Sequence, residues 1–171
     1  NYVKIGRCYR YLKKYQDAIK CLNEAKRMDS KFPQIYTELG HCYYDKKAFK
    51  EALKQYNLTL KLNPDESFIF QHIGSCHYEL YDYKLALTNY LTQLEKTEDN
   101  VSLLVDIATA YEYLFDINLA LHYITKALKI DRKDPEVLMN YGRTLLFGGT
   151  EPKKAKEFLL KSLNKGEKDV V

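Results

Sequence analysis

Apolar and small residues recur along this chain with the spacing of an amphipathic α-helix. Within residues 33–66, one series occupies positions i, i+3, i+4 and i+7, namely Tyr36, Leu39, Gly40 and Tyr43. A second series with similar spacing follows at Phe49, Ala52, Leu53 and Tyr56. Such spacing places apolar side chains on one face of a helix, and no strand-like alternation of useful length appears. The pattern predicts pairs of helices of about 12–14 residues each, joined by turns.

The helix pair repeats every 34 residues. Small residues stand in phase at Gly6, Gly40, Gly74, Ala108 and Gly142. A second series of small residues keeps the same period at Ala18, Ala52, Ala86 and Ala120. Because small side chains let two helices approach closely, Gly40 and Ala52 mark the predicted crossing within one pair. Internal repetition at a period of roughly 20–50 residues predicts a solenoid of stacked helix pairs.

Proline and aspartate agree with the boundaries of these pairs. Pro33 and Pro135 stand where a first helix begins, a position that tolerates the missing N–H. Pro64 lies in a predicted turn between pairs, and Pro152 opens the last helix. Asp134 is a candidate N-terminal cap. The sequence therefore predicts one domain over residues 1–171 with five units, 1–32, 33–66, 67–100, 101–134 and 135–169. Because the chain opens inside a first helix without an initiator Met, we expect it to be a fragment of a longer one.

The chain resembles the tetratricopeptide repeat family over nearly its whole length. The residues that carry the resemblance in the second unit are Leu39-Gly40, Tyr43, Ala52, Tyr56 and Pro64. The fifth unit departs from the pattern, since Leu145 stands at the aromatic place and the small residue falls one position late, at Ala155. The resemblance implies an all-α fold, a right-handed α-solenoid of five helix–turn–helix repeats whose first helices line a concave groove.

In this family the concave groove commonly holds a peptide or a helix, so the groove-facing positions form the candidate binding site. Carried over position by position, they include Arg7, Tyr11, His41, Tyr44, Phe68, Gln71, Ser75, Tyr78, Thr109 and Tyr113. Tyrosine that recurs along a groove offers flat apolar area and a hydroxyl group. Packing between adjacent units is the alternative role for the four recurring tyrosines, Tyr11, Tyr44, Tyr78 and Tyr113. The resemblance places Tyr9, Tyr43 and Tyr111 in the core instead.

One specialised groove of the family is disfavoured. Some members hold the terminal carboxylates of a heat-shock chaperone with a basic and Asn set across three first helices. The matching places here are Val3, Arg7, Glu38, Gln71 and Ser75. Only Arg7 is basic, Glu38 would repel a carboxylate, and frames shifted by one or two units are no better. We therefore predict no such clamp.

Charge and composition exclude other classes of protein. The 171 residues include 27 Lys and Arg against 23 Asp and Glu, a net charge of +4, with the acids interleaved throughout. Helical repeats that bind RNA need a basic groove, and this groove carries acids such as Asp45 and Glu79, so we expect no nucleic-acid partner. No apolar run exceeds three residues, so the sequence predicts no membrane span. The expected partner is a protein or a peptide.

Neither catalytic nor metal-binding motifs are present in the sequence. There is no P-loop, GxGxxG or GxSxG motif, so we expect no enzyme activity and no cofactor. His41-Cys42 and Cys76-His77 are adjacent pairs. Their side chains point about 100° apart on a helix, so the two members of a pair cannot easily coordinate one metal ion. His41 faces the predicted groove, where its titration would give binding a mild pH dependence.

The four cysteines are expected to stay unpaired. Cys8, Cys42 and Cys76 occupy one place in three successive units, too far apart for disulfides, and are expected to be small buried apolar side chains. Cys21 is the only plausible partner for Cys8, across the first hairpin. Reduced thiols and the lack of a signal peptide favour a cytoplasmic location.

The ends of the repeat complete the prediction. The last helix carries Phe158, Leu159 and Leu163, and no separate amphipathic capping helix follows. We expect the uncovered terminal repeats to continue into further chain or to self-associate. The sequence as a whole predicts a non-enzymatic protein–protein interaction module that binds a peptide or helix in its concave groove. Two alternatives remain open, a structural scaffold subunit of a larger assembly and the peptide-sensing part of a regulator.

Overall fold

The computed structural model describes residues 1–97 and 100–166, with side chains of the last helix as far as residue 163. Within these ranges the chain is all-α and contains ten helices. Their bounds are α1 Tyr2–Tyr11, α2 Tyr15–Met28, α3 Pro33–Asp45, α4 Phe49–Leu62, α5 Ile69–Glu79, α6 Tyr83–Lys96, α7 Val101–Tyr113, α8 Ile117–Ile130, α9 Pro135–Gly148 and α10 Pro152–Gly166. We call the odd-numbered helices first helices and the even-numbered ones second helices. The predicted all-α helical repeat is confirmed.

The chain divides into two compact units, Asn1–Asp82 and Tyr83–Val171. From here on we call these the first unit and the second unit, and we call the five 34-residue units of the sequence repeats. In the first unit, α1 packs on α2 and α3 packs on α4. Successive pairs are joined because α3 also packs on α2 and α5 packs on α4. Its core consists of Ala18, Leu22, Ile35, Leu39, Cys42, Ala52, Tyr56, Ile69, Ile73 and Cys76. In the second unit α7 packs on α8 and α9 on α10, with a core of Leu104, Ala108, Ile124, Ala127, Val137, Tyr141 and Ala155.

Gly6, Gly40 and Gly142, three of the in-phase glycines, are positions of close helix approach, as predicted. A Cβ atom added to Gly6 would lie 2.8 Å from Leu22 Cγ and 3.3 Å from the carbonyl oxygen of Ala18 on α2. At Gly40 the same added atom would collide with the ring of Tyr56 on α4. The glycine therefore does two things. It admits the neighbouring helix, and it accommodates the large apolar side chain that fills the core of the pair.

Turns between first and second helices share one backbone conformation. Lys13, Lys47, Tyr81 and Phe115, each 34 residues apart, have φ between 57° and 65°, and Gly149 has φ 63° in the last pair. The residue after each non-glycine turn residue donates its N–H back into the first helix, for example Ala48 N to Tyr43 O at 2.9 Å. This left-handed closure of a helix normally favours glycine. Four of the five turns use a residue with a side chain instead.

Helix starts agree with the sequence. Pro33 and Pro135 occupy the first turns of α3 and α9, and the Asp134 carboxylate accepts the N–H of Glu136 at 2.7 Å. Asn100 and Asp116 cap α7 and α8 in the same way, through the N–H groups of the residues three positions on. These caps satisfy backbone donors that have no partner within the helix. The predicted helix starts at Pro33 and Pro135 and the predicted Asp134 cap are confirmed.

Some predictions about single residues were wrong or held only in part. Cys8 is exposed, unlike the buried Cys42 and Cys76, because in the part of the chain described no helix packs against the face of α1 that carries it. All four cysteines are free. The three tyrosines expected in the core, Tyr9, Tyr43 and Tyr111, are half-buried at its edge.

The predicted limits of the repeats stay a prediction in detail. The described helix pairs fall within the predicted units. Residues 98–99 and 167–169, at the ends of the third and fifth predicted repeats, lie outside the described residues. Among the residues described, none of the helices combines the length and the apolarity that crossing a bilayer requires.

Candidate functional site

First helices of the first unit are joined by ion pairs. Arg7 Nε on α1 donates to Glu38 Oε1 on α3 at 2.6 Å, and Arg10 Nη1 donates to Asp45 Oδ2 at 2.9 Å. Glu38 is the buried member of this group, with 3% of its surface exposed. A carboxylate at such depth keeps its charge only where cations or donors compensate for lost hydration. Arg7, a predicted groove residue, therefore holds α1 and α3 together.

The electrostatic surroundings of Glu38 favour the ionised form. Burial acts to raise its pKa, but the interactions with His41 and Arg7 outweigh burial, so the pKa lies below its ordinary value. His41 Nδ1 lies 3.9 Å from Glu38 Oε2, beyond hydrogen-bond length, so the two side chains form an ion pair only when the His41 ring is protonated. Arg7, at 2.6 Å, is the closer partner. Glu38 remains charged across the neutral range and fixes the direction of Arg7.

Two histidines meet between α3 and α5. His41 Nε2 lies 3.3 Å from His72 Nε2, with the two rings edge to face. The His72 ring also stacks on Tyr56, with ring centres 5.4 Å apart. Burial, together with the charges of His41 and Arg10, lowers the pKa of His72 to about 4. At neutral pH His72 is uncharged, and one imidazole nitrogen donates while the other accepts.

A polar cavity of about 350 Å³ lies beside this histidine pair. We call it the first-unit cavity. It is lined by Arg10, His41, Tyr44, Asp45, Tyr56, His72 and Ser75. Three predicted site residues, His41, Tyr44 and Ser75, are thus brought together. Tyr44 is half-buried and packs against the core cluster that includes Ile69 and Ile73 of α5, which agrees with packing between adjacent repeats, while its role in binding stays a prediction.

First helices of the second unit carry a similar ion pair in reverse order. Arg143 on α9 approaches Glu112 Oε2 on α7 at 2.9 Å through Nη2, and Nε donates to the same oxygen at 3.0 Å. The hydroxyl of Thr144 donates to the other oxygen, Glu112 Oε1. Arg143 Nη2 also donates to Thr109 Oγ1 at 3.4 Å. The predicted groove residue Thr109 therefore takes part in a network that joins α7 to α9.

An aromatic cavity of about 350 Å³ lies above this network. We call it the second-unit cavity. Its lining consists of Glu112, Tyr113, Phe115, Ile117, Arg143 and Phe147. Phe115 is 88% exposed and Phe147 66%. Tyr113 stacks on Tyr83 with ring centres 4.6 Å apart, which holds its ring in place. Aromatic walls and an ion-paired floor suit an apolar side chain with polar groups on either side.

The remaining predicted site residues are more dispersed. Tyr11 is 70% exposed and lies under the guanidinium of Arg10, at 4.6 Å from the ring centre. Phe68 packs edge to face on His72 with ring centres 6.1 Å apart. The carbonyl of Gln71 accepts the hydroxyl of Ser75, and Tyr78 is half-buried on α5. The four predicted site residues of this group, Tyr11, Phe68, Gln71 and Tyr78, do not line either cavity.

Sequence reasoning did not single out Phe115, Ile117 or His72 for binding. Phe115 stands one period after Tyr81, at the left-handed turn position, so the repeat alignment itself was the signal that could have found it. Across the described ranges, no group of three or more His, Cys, Asp or Glu side chains is placed to hold a metal ion.

Known proteins share this architecture. Residues 4–161 match the family described as Tetratricopeptide repeat. A MamA structure, residues 41 to the end, from Desulfovibrio magneticus RS-1 superposes with a TM-score of 0.87 at 17% identity, covering 99% of this chain and 96% of that one. YrrB, described as a TPR protein with an unusual peptide-binding site, superposes with a TM-score of 0.75 at 20% identity, covering 99% and 86%.

A third solved structure is pilF from Pseudomonas aeruginosa, with a TM-score of 0.82, 17% identity and coverage of 95% and 74%. Likeness at this identity is a likeness of fold. No curated protein matches the sequence.

Proposed function

This chain belongs to the tetratricopeptide repeat family, whose members are generally protein-interaction modules, and we propose that it binds a peptide or a helix along its first helices. The observation that carries the proposal is the second-unit cavity, where Phe115 and Phe147 stand more than half exposed around an ion-paired floor. Exposed aromatic side chains that converge on a concavity are typical of a binding surface.

The second-unit cavity offers apolar area without the usual loss of side-chain freedom. Tyr113 is stacked on Tyr83, and Ile117 is half-buried, so both side chains are restricted before a partner arrives. A rigid aromatic ring gives contact area at low entropic cost, which is why aromatic residues dominate binding hot spots. An apolar side chain of the partner would enter between Phe115 and Phe147.

Arg143, held in place by Glu112, would orient the backbone of the partner. Both oxygens of Glu112 already accept hydrogen bonds, and Arg143 is fixed by Glu112 and Thr109. The Arg143 side chain remains 36% exposed, which leaves part of the guanidinium open to a carbonyl or carboxylate. The first-unit cavity, with His41 and Asp45, is the more polar of the two and would favour a polar peptide segment.

The experiment is selection of short random peptides displayed on phage, followed by affinity measurement with the synthetic peptides. Phe147→Ala should weaken binding about tenfold or more, as expected for a central aromatic contact. The matched control is Leu119→Ala, an exposed apolar residue on the second helix α8 of the same unit. Equal weakening by both variants, or no selected peptide, would contradict the proposal.

A structural scaffold is the second candidate function, and exposure on α1 favours it. Ile5 is 44% exposed, whereas its equivalents one and two periods later, Leu39 and Ile73, are 3% and 4% exposed under the preceding second helix. A helix from another chain, including a second copy, would cover the same face of α1. Sedimentation velocity tests this. Self-association that Ile5→Lys abolishes would favour the scaffold, and a monomer at high concentration would count against self-association.

The role as a peptide-sensing part of a regulator would use the same cavities and the same test. We propose a non-enzymatic role without a nucleic-acid partner, because Asp45 and Glu112 pair with the arginines of the two cavities and leave neither cavity strongly basic. We also propose a cytoplasmic setting, because all four cysteines are free thiols, as is usual for proteins kept in a reducing environment.

A further inference from the structure

A third cavity lies on the second helices of the second unit and has a different chemistry. It measures about 340 Å³ and is bounded by α8, the turn after α8, the start of α9, and α10. We call it the basic cavity. Its lining residues are Thr125, Leu128, Lys129, Arg132, Leu138, Phe158 and Lys161. We propose that the basic cavity binds a carboxylate-rich protein segment, which inserts one apolar side chain between Lys129, Arg132 and Lys161.

The floor of the basic cavity is apolar and part of the core. Leu138 is 4% exposed, and Leu128 and Phe158 are half-buried against the core cluster of the second unit. Phe158 is fixed by an edge-to-face contact with Tyr141, with ring centres 4.7 Å apart. A preformed apolar floor gives an entering aliphatic or aromatic side chain a place to lose its contact with water.

The rim of the basic cavity is cationic. Lys129 and Arg132 are exposed at its edge. Lys161 Nζ lies 5.2 Å from the centre of the Phe158 ring and 2.6 Å from Glu157 Oε1. The side chains of Lys161 and Glu157 are both more than half exposed, so this pair contributes little and yields readily to another carboxylate.

Acids in the adjoining turn are already engaged with the backbone. Asp131 Oδ1 accepts the N–H groups of Lys133 and Asp134 at 2.8 and 3.0 Å. Asp134 caps α9. These carboxylates satisfy amide groups of the turn, while the three cations of the rim face the cavity. Three cations around an apolar floor are complementary to a segment in which acidic residues flank an apolar one.

This combination is particular to one place in the repeat. The position of Arg132 is taken by Ser30, Pro64 and Glu98 in the three preceding periods. The recessed floor also favours a protein segment over a membrane, because a bilayer surface would need apolar side chains that project from the protein. The proposal goes beyond binding along the first helices, since none of the residues of the basic cavity lines the first-unit or second-unit cavity.

Peptide selection against the wild-type chain, with counter-selection on the double variant K129E/R132E, tests the proposal. Surviving peptides should carry acidic residues on both sides of an apolar one. In fluorescence anisotropy the synthetic peptides should bind K129E/R132E about tenfold more weakly or worse. K129R/R132K, which keeps both charges, should retain binding. The matched control K50E/K54E changes the charge equally on the exposed face of α4 and should leave affinity unchanged.

Several results would overturn the proposal. One is the absence of any peptide that distinguishes wild type from K129E/R132E while circular dichroism shows the variant folded. Another is equal weakening by K50E/K54E, which would reveal attraction to net charge alone. Binding to vesicles of phosphatidylserine and phosphatidylcholine that K129E/R132E abolishes, without peptide binding, would assign the surface to a membrane instead. Phe147→Ala should not affect these peptides, which separates this result from the function along the first helices.

Discussion

Arg7 donates a hydrogen bond of 2.6 Å to Glu38, 31 residues further along the chain, and so connects the first helices of two successive repeats. The same spacing separates Glu112 from Arg143 in the second unit, with acid and base exchanged. In both places the carboxylate is the buried partner and the guanidinium is partly open to solvent. The ion pairs therefore stabilise the stacking of repeats while they present arginine at the surface where we expect a partner.

Removing the Arg7 side chain should destabilise the protein, because Glu38 would remain buried without its closest cation. Arg7→Ala is expected to lower the free energy of unfolding in urea by about 1–2 kcal/mol. The value is modest because the Arg7 side chain is 40% exposed. Arg27→Ala, which breaks an exposed pair with Glu24, should change stability by less than about 0.5 kcal/mol.

A double variant tests whether the unpaired charge of Glu38 causes this loss of stability. Adding Glu38→Leu to Arg7→Ala should recover part of the loss, since an apolar side chain needs no cation at that depth. If the double variant is less stable than Arg7→Ala alone, the stranded charge of Glu38 is not the cause.

His72 should make the fold sensitive to mild acid. Its pKa is lowered from 6.5 to about 4, chiefly by burial, so the unfolded chain takes up a proton in this range and the folded chain does not. Stability contributed by neutral His72 is complete above pH 6.5 and is lost as the pH falls to 4, by about 3 kcal/mol. Urea unfolding at a series of pH values measures the slope.

Substitution identifies the group responsible for that slope. His72→Gln should flatten the curve between pH 6.5 and 4, while His122→Gln, at an exposed position on α8, should leave it as in the wild type. A slope that persists unchanged in His72→Gln would assign the acid sensitivity to other groups.

Much of the fold was predictable because its determinants are local. The helical spacing within each repeat, the prolines at the starts of α3 and α9, and the Asp134 cap depend on residues close in sequence, and the structure confirms each of them. The wrong prediction at Cys8 shows the limit of this reasoning. Equivalent positions in a repeat are buried only where a neighbouring helix packs on them, and that condition is not local.

The candidate sites were less predictable for the same reason. Arg7 and Thr109 were correctly placed on first helices, but their partners Glu38 and Arg143 come from the next repeat and depend on side-chain geometry. Phe115 could have been found from its turn position, whereas the convergence of Lys129, Arg132 and Lys161 joins two helices and a turn. Single-residue patterns do not contain that information.

Gly40 should tolerate no side chain while Tyr56 fills the adjacent space. In Gly40→Ala the new methyl group would collide with the Tyr56 ring, which is fully buried and cannot move away freely. We expect the free energy of unfolding to fall by about 1–3 kcal/mol, the usual range for overpacking. In a Tyr56→Leu background the same substitution should cost less, and thermal unfolding of the four proteins would measure the coupling. Additive effects would show that the ring is not the obstacle.

Lys47 offers a test of the shared turn conformation. Its φ of 60° is strained for a residue with a Cβ atom, so Lys47→Gly should keep or raise the free energy of unfolding, by up to about 1 kcal/mol. The neighbouring Lys46 has φ −79° and is also exposed. Lys46→Gly should lower stability by about 0.5–1 kcal/mol because glycine there only adds freedom to the unfolded chain. Chemical denaturation compares the two variants directly. Loss of stability in both would mean that the Lys47 side chain makes a contribution larger than the strain, and the left-handed turn would then explain nothing about this position.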